Sequence, residues 1–135
     1  MNMFRLRLVL RTLKRTLNKV IYGRHKVNYN NSTLLFLESA MENMYGVDLN
    51  VPQHGHKEVQ LKRFFINFLV EETGWSVMEI SRRFNSAGII ADGLSRRTMQ
   101  YYVNSHESEL KELSRKAVTY GRQYMTFTKT LNSIL

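Results

Sequence analysis

Hydrophobic positions recur along this chain at three- and four-residue intervals, the period of a helix and not of a strand. Leu6, Leu10, Leu13, Leu17 and Ile21 form the first stripe. On a helix over residues 4–22 that stripe leaves Arg7, Arg11, Lys14 and Arg15 largely across from it, so the segment predicts a basic amphipathic helix. Leu34, Leu37, Met41 and Met44 form a second stripe, with Asn31, Ser32 or Thr33 as candidate cap and Gly46 placed to end it. The sole proline, Pro52, and Gly55 mark residues 47–56 as a connector. From Lys57 the spacing of Leu61, Phe64, Phe65, Phe68 and Leu69 predicts a helix with an aromatic core face, stopped by Gly74.

Ser76 and Glu79 then have the spacing of a capping box, in which the hydroxyl accepts one orphan amide and the carboxylate reaches back to another. The helix they open turns Val77, Ile80 and Phe84 inwards and gives way to a loop over residues 85–93. Ser95 is a cap for a third helix that buries Met99 and Val103 and extends towards Leu110 and Leu113, with an interruption expected between Ser105 and Ser108. Tyr124, Phe127, Leu131 and Ile134 predict a last helix after Gly121. The expected fold is therefore all-α, a central helix-turn-helix between amphipathic N- and C-terminal helices. A boundary near residue 50 separates an arm and short helix (1–50) from a helix-turn-helix domain (57–135), unless the whole packs as one body.

At 135 residues, 43% hydrophobic and 23% charged, the composition is that of a folding chain with a core of its own. It has no cysteine, which excludes disulfides, thiolate metal sites and a cysteine nucleophile and fits a reducing, cytoplasmic location. In the arm, consecutive apolar residues stop at three, too few for a membrane span. Charge changes the picture more. Twenty Lys and Arg against eleven Asp and Glu give +9, and residues 1–29 hold eight cations and no acid. Such an arm points to nucleic acid, an anionic membrane surface or an acidic protein. Residues 30–56 hold Glu38, Glu42 and Asp48 without a cation, an expected intramolecular contact for the arm. The arm's apolar stripe fits core packing, or pairing with another chain, better than exposure.

On the third helix of the trio, Arg97, Gln100, Tyr101 and Asn104 fall opposite Met99 and Val103, with Arg96 near the edge. These are groove-reading residue types: Arg bonds bidentately to guanine, Gln and Asn to adenine, and Tyr meets a phosphate or a thymine methyl. Glu79-Ile80-Ser81-Arg82-Arg83-Phe84-Asn85, Gly88-Ile89, Gly93-Leu94-Ser95, Thr98-Met99 and Val103 together resemble the DNA-binding helix-turn-helix of the recombinase type. There an E-I-A-R-x-L-N-x-x-G-I helix and loop lead to G-x-x-W/F-S-x-x-T-V-x-x-x-L. The arrangement is also similar, more weakly, to the C-terminal DNA-binding domain of bacterial replication initiators. The resemblance covers about thirty residues and implies that the second helix of the pair reads the major groove. Arg96, Arg97, Gln100, Tyr101 and Asn104 then become the groove-facing set, with Arg82 and Arg83 of the preceding helix as further candidates; the charge of the arm separately offers Arg7, Arg11, Lys14 and Arg15 for nonspecific DNA contact. Ala91-Asp92 stands where that family carries basic residues and a proline.

Nothing in the sequence predicts catalysis, a cofactor or a metal. His54 and His56 fall short of a ligand set, Glu71 and Glu72 diverge on a helix, and Tyr101 or Tyr102 lacks the basic cluster of a nuclease. The function expected is sequence-specific binding of double-stranded DNA by a homodimer, a transcriptional regulator of bacterial, plasmid or phage origin. The other reading is a protein-interaction module in which Met41, Met44, Met78 and the amphipathic ends dock an acidic partner.

Overall fold

A computed structural model describes residues 27–50, 55–90 and 94–135. These residues form five helices and no strand: α1 (Asn31–Tyr45), α2 (His56–Thr73), α3 (Val77–Ala87), α4 (Arg96–Lys111) and α5 (Arg115–Ile134). The all-α expectation holds for them, and the helix expected over residues 4–22 lies outside them. Two compact units emerge, Val27–Asn104 and one containing Ser105–Leu135, with α4 contributing to both.

In the first unit, α1 begins one residue earlier than its candidate caps, because Asn30 Oδ1 accepts the Thr33 N–H at 2.8 Å. Its buried stripe is Leu34, Leu37, Glu38 and Met41, whereas Met44 in the last turn is exposed. Helix α2 buries Leu61, Phe64, Phe65, Ile66, Phe68 and Leu69, a wider face than an amphipathic surface helix has. Helix α3 packs against both α1 and α2, and the Phe84 ring stacks on Phe65 with centroids 5.8 Å apart. The Ser76 hydroxyl caps α3 as predicted, accepting the Glu79 N–H. The Glu79 carboxylate, however, pairs forward with Arg82 and Arg83. Helix α3 continues through Asn85 to Ala87, past its expected end. Asn67, buried on α2, donates to the Tyr102 carbonyl at 3.2 Å and ties α2 to α4.

The expected break at residues 105–108 does not occur. His106 is buried there, its Nδ1 hydrogen-bonded to the Tyr120 hydroxyl and its ring edge-on to Tyr124 at 4.4 Å, so packing against α5 overrides the weak helix propensity of the serines. Leu113 lies beyond α4 and is exposed. Helix α5 starts six residues before Gly121, capped by the Ser114 hydroxyl on the Ala117 N–H. Tyr124, Phe127 and Leu131 are buried on it as predicted.

Lys62 is an unforeseen interior cation: burial on α2 lowers its pKa, and Glu58 and Asp48 only partly oppose this. Its folded pKa lies below the unfolded one, so its contribution to stability is complete above the unfolded value and is lost as pH falls through the folded value. At neutral pH the ammonium is therefore a net cost. Replacing Lys62 by Met is expected to raise stability by about 1 kcal/mol at pH 7, an advantage that shrinks towards pH 10. Urea unfolding at the two pH values checks this, and a destabilised K62M protein at pH 7 refutes it.

Candidate nucleic-acid interface

Helix α4 starts where Ser95 Oγ accepts the Thr98 N–H at 3.2 Å. Met99 and Tyr102 anchor one side in the core, and Val103 is half-buried. The opposite side carries Arg97, Gln100, Tyr101 and Asn104, all exposed, at i, i+3, i+4 and i+7, so the helix brings them onto one face. Arg96 is exposed at its edge. Tyr101 keeps 67% of its surface in solvent, a large aromatic face presented outwards. Gln100 Nε2 donates to Asn104 Oδ1 at 3.0 Å. That bond orients both amides and leaves Gln100 Oε1 and the Asn104 N–H groups pointing away from each other as acceptor and donors.

Arg96 and Arg97 occupy the first turn, where the helix dipole disfavours cations. Among the described residues no carboxylate pairs with either. The α3 arginines differ: Arg82 pairs with Glu79 at 3.2 Å but stays 70% exposed, whereas Arg83 bonds Glu79 at 2.9 Å and lies 4.6 Å over the Trp75 ring. Arg83 is thus held in a local clamp, a role its sequence position does not announce. Arg7, Arg11, Lys14 and Arg15 lie outside the described residues.

Ahead of α4 in the chain, a contact joins residues 52 positions apart. After Gly88, whose φ of 70° suits a residue without Cβ, Ile89 and Ile90 turn into the core. Ile90 has φ 47°, unfavourable for a β-branched residue, and its N–H donates to the buried Glu38 Oε2 at 2.8 Å. Sequence reasoning missed this, although Glu38 sits on the same stripe as Leu34, Leu37 and Met41. Each acid of residues 30–56 accepts a backbone N–H: Glu38 that of Ile90, Glu42 that of Leu49 at 2.9 Å and Asp48 that of Asn50; the contact expected with the basic arm lies outside the described residues. Burial raises the Glu42 pKa, with the Leu49 bond opposing it.

Burial also raises the Tyr102 phenol above its ordinary value, with Arg63 opposing the shift. Among the described residues no three His, Asp or Glu side chains converge as metal ligands, and no helix is long and apolar enough to cross a membrane. His56 opens α2, and His54 is outside the described residues. The sequence of the Val27–Asn104 unit has seven cations against eight acids. Compared with protein-family models, curated proteins and solved structures, the chain matches none.

Proposed function

We propose that the protein binds double-stranded DNA through α4, with Arg97, Gln100, Tyr101 and Asn104 meeting base edges in the major groove and Arg96 meeting phosphate. The observation that carries this reading is the open polar face of α4, headed by two arginines that pair with no described carboxylate. Bidentate bonding of Arg97 to guanine and of Asn104 to adenine is the chemistry this face offers. One helix reads only a few base pairs, so the reading includes a homodimer on a two-fold site, acting as a transcriptional regulator in a bacterium, plasmid or phage.

The test is duplex selection followed by titration. Arg97→Ala is expected to relax base preference at one position by about 1–3 kcal/mol while leaving helix content unchanged. Wild-type protein that retains no duplex at low salt overturns the proposal. That result would favour a protein-interaction module, which the exposed Leu35, Phe36 and Met44 of α1 and Met78 of α3 support. Met41, grouped with those methionines from the sequence, belongs to the core instead.

A further inference from the structure

Helix α5 contains four cations and no acid. Arg115, Arg122 and Lys129 recur every seven residues, nearly two turns, so they share a face; Lys116 stands beside the first of them. Thr119, Thr126 and Ser133 lie on the same line, and every one of these residues is exposed. The opposite face buries Ala117, Tyr120, Tyr124, Phe127 and Leu131. A stripe of cations separated by small hydroxyl residues therefore runs along the outer side of a helix whose apolar side is already occupied.

We propose that this stripe is a second, sequence-independent contact with the phosphate backbone of duplex DNA. Seven residues of helix advance about 10 Å, so the long Arg and Lys side chains of the stripe are spread widely enough to reach separate phosphates. The short Thr side chains give the backbone clearance between them. A membrane surface is disfavoured because lipid binding needs a free apolar face beside the cations, and here that face is in the core. An acidic protein is disfavoured because the stripe has no aromatic or aliphatic anchor to centre an interface. The contact stands whether or not α4 reads bases.

The salt dependence of binding to a random-sequence duplex isolates it, using the full chain so that the N-terminal cations stay constant. Arg115→Gln with Lys129→Gln is expected to flatten the log–log slope by about 2 and to shrink the affinity loss between 50 and 200 mM salt roughly tenfold. Lys57→Gln with Lys111→Gln removes the same charge from exposed sites off the stripe and is expected to change the slope by less than about 0.5. Arg115→Lys with Lys129→Arg should restore the wild-type slope, and circular dichroism verifies the fold of each variant. Equal effects of the two neutralised pairs would overturn the assignment. So would a loss confined to binding of polyglutamate, which would transfer the stripe to an acidic polypeptide.

Discussion

Phe65→Ala is expected to cost about 3–5 kcal/mol of stability. Phe65 is fully buried on α2, and its ring lies within 10° of parallel to that of Phe84 on α3. Removing it forfeits the transfer energy of the ring and leaves a cavity between α2 and α3 that rigid helices fill only in part. Marginal stability of about 5–15 kcal/mol is usual, so such a loss brings the first unit near its threshold. Urea unfolding followed by tryptophan fluorescence reports it, since Trp75, the chain's single tryptophan, sits at the entrance to α3. Phe65→Leu should lose much less, and a loss below about 1 kcal/mol for the alanine variant would contradict the packing of that interface.

The second large effect is expected at Glu38. Glu38→Ala leaves the buried Ile90 N–H without its acceptor at a residue whose backbone is already strained, for a cost of about 2–4 kcal/mol. Glu38→Gln keeps an acceptor oxygen and should cost about half as much or less. The functional consequence separates this contact from ordinary packing. Ile90 stands six residues before Arg96, the first residue of α4, so on the proposed reading the alanine variant should lose base preference at temperatures where the protein remains folded. Stability is read by urea and preference by competition between two duplexes. Equal losses for the Ala and Gln variants would show that the carboxylate fills space without holding the loop.

The existence of the described helices and several of their boundaries were legible from local signals. Phenylalanines at helical spacing placed α2, Ser76 and Ser95 marked two starts, and Gly46, Gly74 and Gly88 stand at the ends of α1, α2 and α3. The face of α4 was legible for the same reason: burying Met99 obliges Gln100, Tyr101 and Asn104 to point elsewhere. What escaped depends on partners distant in sequence. Neither the Glu38 to Ile90 bond nor the aromatic seat of His106 has a local signature, and the second carried α4 through an apparent break. Arg83, offered by the sequence only as a DNA contact, is held by Glu79 and the Trp75 ring, a pairing that shows once α3 is folded beside Trp75.

The slight acidic excess of the Val27–Asn104 body has a kinetic corollary. On the proposed reading, a near-neutral body would give α4 no long-range pull on a polyanion, so first encounter would be driven by cations carried elsewhere in the chain. Capture and discrimination would then answer to different variables: ionic strength would set how fast the protein finds DNA, while amide and guanidinium geometry would set how long it stays on the correct site.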